Sequence, residues 1–351
     1  MFSPQKILPL GVIAVIALAI YALSTQGSPT MPESYIVITG KTMGTTYKVI
    51  SSHGANKRSL QREIKAILEE VTDTASTWEE KSEISRFNRL KSTQKERYSE
   101  LFISLLSLSY KIYLKSDGYF NPAIYPLVKL WGFERNGHLP PPSSKEIKDA
   151  LSRADFSSIK LYGNYILKED PEVEIDLSGI AKGYGVDMVS EYLKRLGSKS
   201  FLVEIGGEVR AFGRSPQGYP WVIGIEYPAF GVKPQGIIDR KVLLSDGALA
   251  TSGVYHNYRN IADGRISHII DPHTGYPKGG DLLSVTIYAD TCAEADAVAT
   301  AAVAMGRNKG LRWLNKEGYK ALLISKSGSS LKVETTANFP PQMVPGSYKS
   351  K

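Results

Sequence analysis

Asp296 and Thr300 lie four residues apart in the alanine-rich stretch TCAEADAVATAAVAMG. Thr291 followed by Glu294 predicts a capping box at the start of a helix, and Gly306 predicts its end. The four-residue spacing then places the carboxylate and the hydroxyl on one helix face, where such oxygen ligands could hold Mg²⁺. The same pattern also fits an acid favoured by the helix dipole and a hydroxyl bonded to its own helix.

A glycine-rich segment, IDLSGIAKGYGVD at residues 175–187, carries a second set of candidate residues. Its pattern predicts a strand, a turn containing Gly179, Gly183 and Gly185, and then a helix. Glycines allow a ligand to approach the backbone closely, and the N–H groups of a new helix suit a pyrophosphate. An ordinary structural turn, with Lys182 as a solvated surface charge, fits the same residues.

Two further segments place candidate groups beside predicted turns. His268 belongs to the run YRNIADGRISHII, in which Asp263-Gly264 predicts a hairpin, and Asp271 opens the turn that follows. A histidine at the end of a strand could act as a general base, although a packed and hydrogen-bonded histidine fits as well. In SDGYFNPAIYPLVKLWGF, aromatic residues flank a turn and could either stack on a flavin or adenine ring or belong to the core.

The elements that must position these residues alternate without a strict βαβ order. Strands are predicted for YIVIT and TTYKVI, starting near residue 35, and for VEIDL, FLVEIG and WVIGIEY. Helices are predicted from Ser59, over about 98–115, after the Ser143–Glu146 capping box and over YGVDMVSEYLKRL. YKALLIS and LKVETT predict a terminal hairpin. The pattern favours an α+β fold with two lobes over a doubly wound fold.

Composition argues against several classes of protein and site. A chain of 351 residues with 42% apolar content is typical of a globular protein, and its net charge of +8 is too dispersed for a nucleic-acid-binding stripe. Cys292 is the single cysteine, so neither an internal disulfide nor a Cys-x-x-Cys zinc site can form. Because the five histidines are scattered, the metal chemistry left open is a hard cation held by oxygen ligands.

The first residues predict a membrane-targeting segment. Lys6 precedes an uninterrupted apolar run at residues 7–23, and 17 helical residues would span about 26 Å. This length fits a signal peptide, an uncleaved anchor or a buried core helix, and we favour the anchor because the A-x-A-like cleavage signal is poor. The positive flank would leave the body outside the cytoplasm, and no cysteine follows the run for a bacterial lipoprotein.

The chain is expected to divide into four parts. A signal peptide or membrane anchor is predicted at residues 1–24 and a linker rich in Ser, Pro and Gly at 25–34. One folded domain is predicted at 35–340, followed by a tail at 341–351. No internal repeat interrupts the predicted domain.

Eight segments occur together in the order found in one known family. The sequence resembles the ApbE family, the FAD:protein FMN transferases, from about residue 40 to 335. The number and order of the matches argue against coincidence. The matching motifs are MGTTYKV, STWEEKSEISRFN, DGYFNPAIYPLVKLWGF, DLSGIAKGYGVD, LVEIGGEVRAFG, LATSGVYHNY, HIIDPHTGYP and EADAVATA.

The resemblance implies positions for a metal and for FAD. Mg²⁺ would be held by the Asp296 carboxylate, the Thr300 hydroxyl and the backbone carbonyl of Ala181. Two residues depart from the usual family pattern: Asn121 replaces a common aspartate and so loses a charge, and Ser178 stands where many members have glycine. FAD contacts are implied at Met43, Trp78, Tyr119, Phe120, Asn121, Ser178, Tyr184 and Ile270.

The implied reaction moves the FMN part of FAD onto a threonine or serine hydroxyl of an acceptor protein and releases AMP. Mg²⁺ would bridge the pyrophosphate oxygens, Lys182 would share their charge, and His268 with Asp271 would take or orient the acceptor proton. The expected acceptor is a subunit of a membrane redox complex, on the periplasmic side of a bacterial inner membrane.

Two alternatives use the same residues. A Mg²⁺-dependent FAD pyrophosphatase would release FMN and AMP through attack by water. A non-catalytic FAD-binding protein would have no use for the metal-binding helix. The chain has no flavin-acceptor motif such as D-G-x-T-G-A-T, which argues against covalent FMN on this protein itself.

Overall fold

The structure is a computed structural model in which strands and helices are mixed without strict alternation. This arrangement confirms the predicted α+β class, whereas the division into two lobes stays a prediction. The apolar run at residues 7–23 lies outside the described part of the chain. The described residues are 35–52, 54, 56–134, 140–226, 228, 238–255, 258–261, 264–328 and 330–343.

Sixteen strands occur within these residues, and they form four sheets. The strands are β1 (Ile36–Thr42), β2 (Thr45–Ser51), β3 (Glu96–Arg97), β4 (Ile159–Tyr162), β5 (Tyr165–Lys168), β6 (Phe201–Ile205), β7 (Glu208–Phe212), β8 (Trp221–Glu226), β9 (Ile238–Leu244), β10 (Asp246–Gly253), β11 (Tyr258–Ile261), β12 (Gly264–Ser267), β13 (Leu282–Ala289), β14 (Lys320–Ser327), β15 (Ser330–Thr335) and β16 (Gln342–Met343).

The largest sheet has eight strands in the order β1-β2-β6-β7-β10-β13-β14-β15, and every neighbouring pair is antiparallel. The smaller sheets are β3-β5-β4, β16-β9-β8 and β11-β12. The predicted strands YIVIT, TTYKVI, FLVEIG and WVIGIEY are confirmed, as is the terminal hairpin β14–β15. The predicted hairpin β11–β12 is confirmed by the pairing of Ile261 with Gly264, although Asp263 lies outside the described residues.

The part of the chain that the structure describes contains eight α-helices. The predicted first helix is confirmed, but Asn56 caps it through hydrogen bonds from the backbone N–H groups of Arg58 and Ser59. The predicted Ser143–Glu146 capping box is also present. The helices are α1 (Lys57–Ala75), α2 (Glu83–Arg89), α3 (Glu100–Lys115), α4 (Tyr125–Leu130), α5 (Ser144–Leu151), α6 (Ser178–Arg195), α7 (Cys292–Met305) and α8 (Arg307–Lys316).

Helix α7 lies at the centre of the core. It packs against α6 on one side and against β10 and β13 of the large sheet on the other. Nearly all of its residues are buried because alanines and valines cover its whole circumference. Small side chains allow neighbouring backbones to approach, so the position of α7 is fixed closely by both layers. None of the helices placed by the structure is long and apolar enough to cross a membrane.

The predicted strand VEIDL is wrong, because other groups satisfy its backbone. The Asn88 side chain donates to the Ile175 carbonyl at 2.8 Å and accepts from the Ile175 N–H at 2.7 Å. The buried Lys168 ammonium donates to the carbonyl oxygens of Phe87, Leu90 and Val173 at 2.6, 2.8 and 3.0 Å. Side chains therefore replace the sheet ladder and hold the extended segment that leads into α6.

The predicted turn containing three glycines is also wrong. Helix α6 begins at Ser178, and Gly179, Gly183 and Gly185 all lie within it. The Asp176 carboxylate, just before the helix, accepts a hydrogen bond from the Ser178 N–H at 2.7 Å. Glycine normally weakens a helix, so tertiary packing must compensate for its low propensity here.

We predict that Asn88→Ala destabilises the fold by about 1–3 kcal/mol, because it leaves the buried N–H and C=O of Ile175 without hydrogen bonds. Urea unfolding followed by circular dichroism measures this change. Asn315→Ala is the matched control, since its amide bonds only the Leu311 carbonyl on an exposed surface and should cost less than about 0.5 kcal/mol. Equal effects of the two substitutions would contradict the role assigned to Asn88.

Candidate functional site

Helices α6 and α7 approach each other backbone to backbone at Gly183. A Cβ atom at this position would collide with the carbonyl oxygen of Cys292 and would lie 2.8 Å from the Ala293 Cα atom. One turn earlier, a Cβ atom on Gly179 would lie 3.3 Å from the Thr300 side chain. Two of the glycines that the sequence placed in a turn, Gly179 and Gly183, therefore lie in the contact between the two helices.

This close contact brings the predicted metal ligands of α7 against α6. The Gly183 N–H donates to Asp296 Oδ2 at 3.2 Å, and Asp296 is only 3% exposed. The Thr300 hydroxyl lies 3.1 Å from the Ser252 hydroxyl of β10. Ala181 is a buried residue of α6, and a ligand role for its carbonyl stays a prediction. Asp296 and Thr300 therefore lie along one helix contact, as their spacing predicted.

A buried carboxylate that the sequence analysis did not single out completes a charge cluster. Glu208 is the first residue of β7 and is 2% exposed. Its Oε1 atom accepts a hydrogen bond from Lys182 Nζ, and its Oε2 atom has no hydrogen-bond partner among the described residues. We call Lys182, Glu208 and Asp296 the charge cluster. It places one ammonium group and two carboxylates in the protein interior.

Burial and mutual charge shift the pKa values of all three groups. Burial raises the pKa of Glu208 to about 7, although the Lys182 ammonium opposes the shift. Burial likewise raises the pKa of Asp296, against the opposing effects of Lys182 and of the Gly183 N–H. Burial alone would lower the pKa of Lys182, but the carboxylates of Glu208 and Asp296 outweigh it and raise the pKa above its usual value. Additional positive charge near the two acids would therefore be favourable.

The donor atoms of this region fit a hard divalent cation. Asp296 offers a carboxylate and Thr300 a hydroxyl, and both are oxygen ligands of the kind that Mg²⁺ prefers. No group of three or more His, Cys, Asp or Glu side chains in the described ranges could hold a metal ion. The protein would thus supply few ligands, and water and substrate phosphates would supply the rest, which is usual for Mg²⁺.

The start of α7 is fixed by Asp187 of α6. Asp187 accepts hydrogen bonds from the N–H groups of Cys292 and Ala293 at 2.9 and 2.8 Å, and Arg210 of β7 donates to it at 2.9 Å. Thr291 is the N-cap residue but makes no side-chain capping bond, so the predicted Thr291–Glu294 capping box is wrong. A carboxylate from the neighbouring helix replaces it and fixes the position of α7 relative to α6.

The aromatic turn before α4 lies against the other end of this helix contact. Phe120 is buried, and its ring would be 3.4 Å from a Cβ atom on Gly179. Tyr119 packs against the His273 ring with a centroid distance of 4.3 Å. Asn121 donates to the Ala154 carbonyl at 2.8 Å and accepts from the Ala123 N–H at 2.9 Å. Because both ends of its amide stabilise the turn, Asn121 has a structural role beside its predicted contact with FAD.

Other predicted FAD contacts differ in position and in exposure. Met43 has a φ of 46° in the tight turn between β1 and β2, and its methyl group would be 3.0 Å from a Cβ atom on Gly185. Tyr184 is half-buried on α6, whereas Ser178 is exposed at its start. Trp78 lies between α1 and α2 with 68% of its surface exposed. Met43 thus adjoins α6 directly, and Trp78 presents an open aromatic face.

The predicted proton-transfer residues lie in the segment after β12. The prediction that His268 lies on a strand is wrong, because β12 ends at Ser267. Ile270 is buried and forms a bridge with Pro277. Asp271 accepts from the His273 N–H at 3.0 Å and from Lys278 Nζ at 3.3 Å.

Both Asp271 oxygens therefore stabilise its own turn, and its cooperation with His268 stays a prediction. This turn is tied to the aromatic turn because His273 Nε2 lies 3.0 Å from the Asp117 carbonyl oxygen.

The sequence contains a signal for the residues that were missed. Glu208 and Arg210 are charged residues two apart in the otherwise apolar run EVRAF, so they point to the same face of β7. Both are buried, and each meets a residue of α6. Paired charges on the buried face of a strand indicate a functional or structural polar network.

The chain is similar to known proteins in both sequence and structure. The model of the ApbE family matches residues 43–323. A FAD:protein FMN transferase from Vibrio cholerae is 36% identical over 88% of this chain and 93% of its own length, and one from Haemophilus influenzae is 33% identical over 94% and 96%. The solved structure of the flavin transferase ApbE from Vibrio cholerae has a TM-score of 0.79 at 34% identity, covering 88% of this chain and 99% of that one.

The apo form of the Pseudomonas stutzeri flavinyl transferase ApbE is similar to the same degree. Its TM-score is 0.79 at 32% identity, and the match covers 88% of this chain and 97% of the other. At this level of identity, the likeness extends to sequence as well as to fold.

We predict that Gly183→Ala destabilises the fold by about 1–3 kcal/mol, because the added methyl group collides with the backbone of α7. Thermal and urea unfolding measure the loss. Gly279→Ala is the matched control, since nothing lies within 4 Å of a Cβ atom there. A stability of Gly183→Ala equal to that of the control would show that the helices are not held this closely.

We predict that the metal-free protein loses stability as the pH rises from about 4.5 to 7. The pKa of Glu208 is raised from 4.5 to about 7 on folding, so its contribution is fully present below 4.5 and is lost as the pH passes 7. Glu208→Gln should flatten this slope in urea unfolding with EDTA present. Glu334→Gln is the control, because the Arg307 ion pair lowers the pKa of Glu334 to about 2, and this carboxylate titrates below the tested range.

Proposed function

The chain belongs to the ApbE family, and on this premise we propose that it transfers the FMN part of FAD to a hydroxyl group of an acceptor protein. The observation that carries the proposal is the name shared by its curated relatives, FAD:protein FMN transferase, at up to 36% identity over nearly their whole length. A reaction that moves a phosphoryl-linked group requires positioning and charge neutralisation above all. The charge cluster and its neighbouring oxygen ligands are suited to both tasks.

Lys182 is the residue best placed to neutralise a phosphate. Its side chain is 31% exposed while its ammonium group is paired with the buried Glu208. Glu208 therefore holds the ammonium in place, and the partly exposed side chain would allow a phosphate to approach it. Asp296 and Thr300 of α7, with the carbonyl of Ala181, would hold Mg²⁺. Bound Mg²⁺ would neutralise the pyrophosphate and stabilise the charge that develops on its oxygens.

The proposed reaction exchanges one oxygen–phosphorus bond for another. The oxygen of an acceptor threonine or serine forms a bond to the FMN-side phosphorus, and the bond from that phosphorus to the bridging oxygen breaks. AMP leaves with the electron pair of the broken bond. The hydroxyl proton passes to a base, for which His268 is our candidate, half-buried at the end of β12. No covalent intermediate on this chain is required.

The flavin ring would be bound by Trp78 together with residues that adjoin α6. The exposed ring of Trp78 supports stacking on a planar ligand, because 68% of this large apolar residue is in contact with solvent. Met43 is half-buried beside Gly185 and supports a binding surface on α6. The buried Phe120 ring packs at Gly179, next to Thr300 of the proposed cation site. In this arrangement the pyrophosphate would lie near Lys182 and the ring farther out.

We further propose that the protein is anchored in a bacterial inner membrane with its body on the periplasmic side. The apolar run at residues 7–23 and the preceding Lys6 support this orientation. A membrane redox complex with a subunit on the same side would then supply the acceptor hydroxyl. Membrane attachment would raise the local concentration of such an acceptor.

The test incubates the full-length protein with FAD, Mg²⁺ and an acceptor domain that carries the motif D-G-x-T-G-A-T. We expect a fluorescent acceptor band with the added mass of FMN, equimolar release of AMP, and loss of both with EDTA. An acceptor in which valine replaces both threonines of the motif is the matched control and should stay unlabelled. Release of free FMN and AMP at full rate without any acceptor would instead identify a pyrophosphatase.

We predict that Asp296→Ala lowers the transfer rate at least about a hundredfold, because several kcal/mol of charge stabilisation depend on the bound cation. The mutant should unfold at a temperature close to that of the wild type, since the lost carboxylate is a buried charge rather than a packing group. Asp149→Ala, which removes an exposed acid of α5, should keep full activity. Full activity of Asp296→Ala would remove Asp296 from the cation site.

A further inference from the structure

Glu208 has one carboxylate oxygen that the described part of the chain leaves without a partner. Its Oε1 atom accepts from Lys182 Nζ, but Oε2 is inaccessible to solvent and accepts no hydrogen bond there. Leaving a buried carboxylate half-satisfied is costly, so such a group in a native protein calls for an explanation. Packing alone would be served better by an apolar side chain at this position.

The backbone fixes Glu208 before any ligand binds. The turn that joins β6 to β7 is Gly206-Gly207, with φ values of 57° and 104° that favour glycine. A Cβ atom on Gly206 would lie 2.8 Å from the Thr45 side chain, and the Gly206 N–H donates to the Thr46 carbonyl at 3.0 Å. The turn is thus held against the β1–β2 hairpin, and Glu208 follows it directly.

Two carboxylates, those of Glu208 and Asp296, attract the Lys182 ammonium. It pairs with Glu208, and it also attracts Asp296 electrostatically. Asp296 accepts only the Gly183 N–H among the described hydrogen-bond donors, so its carboxylate is otherwise open. The lysine stem is flexible, and an ammonium group paired with Asp296 would compete with a cation for the single carboxylate of the proposed metal site.

We propose that Glu208 is a positioning residue that holds the Lys182 ammonium away from Asp296, so that Asp296 stays open to a divalent cation. The same ammonium, held in this position, would pair with a phosphate of the substrate. This inference rests on the proposed function for the identity of the substrate, but its cation-binding part is independent of flavin chemistry. Glu208 acts through Lys182 and does not itself contact the reacting atoms.

The test is a double-mutant cycle with Mn²⁺ alone as the probe. Binding to the full-length protein at about pH 8 is measured by the loss of the free Mn²⁺ electron paramagnetic resonance signal. Glu208→Gln should raise the Kd at least about tenfold, the range typical of residues that orient metal ligands. Lys182→Met alone should change the Kd less than about threefold, and adding it to Glu208→Gln should restore most of the lost affinity.

Non-additivity separates positioning from simple charge. If Glu208 acted only as a distant negative charge, the effects of the two substitutions would add, and the double mutant would regain only the affinity that Lys182→Met gains alone. An additive cycle, or an unchanged Kd in Glu208→Gln, would therefore overturn the proposal. Glu334→Gln is the matched control, because it removes a carboxylate from another partly buried ion pair and should leave Mn²⁺ binding unchanged.

A second, more conservative variant tests the proposal even if Glu208→Gln does not fold. Glu208→Asp keeps the negative charge but withdraws the carboxylate by one methylene group. A positioning role predicts weaker Mn²⁺ binding in this variant, whereas a pure charge effect predicts unchanged binding. Flavin transfer is measured in parallel on the same samples. A coupled cycle without any transfer would overturn the proposed function alone, whereas active transfer with an additive cycle would overturn only the role of Glu208.

Discussion

The contact between α6 and α7 at Gly183 is the constraint on which the rest of the structure depends. It is close enough for a backbone N–H of one helix to donate to the Asp296 carboxylate of the other. That distance is set by the absence of a side chain on α6 and by alanines on α7. Asp187, which is also on α6, then fixes the start of α7. The two helices form one unit, and the large sheet supports it from behind.

The arrangement of charges follows from this close contact. A carboxylate at the interface of two helices is removed from water, and so is Glu208, which reaches the cluster from the sheet. Two acids near one ammonium leave a deficit of positive charge in a region of low dielectric constant. An isolated fold gains nothing from this imbalance, since an apolar interior would be more stable. A bound cation would supply the missing positive charge, and it would in turn attract a ligand that carries phosphates.

Local patterns in the sequence predicted about half of the regular elements and part of the site. Apolar spacing was sufficient for α1 and α3, and the i, i+4 spacing was sufficient to place Asp296 and Thr300 together. The failures share a physical cause, because each depended on a partner distant in sequence. The segment before α6 bonds to Asn88 instead of a neighbouring strand, and the cap of α7 comes from Asp187. Glu208 escaped notice because its partner, Lys182, lies on another element.

Strand β7 contributes both to the charge cluster and to the anchoring of α7. Its residues Glu208 and Arg210 face the same side, one meeting Lys182 and the other meeting Asp187. A slip of one residue against β6 would turn both charges to the opposite face and bring Val209 and Ala211 in their place. The charge at the site and the anchoring of α7 would be lost together. Misaligned strand pairing would therefore yield a chain that is inactive outright, with no partly competent form in between.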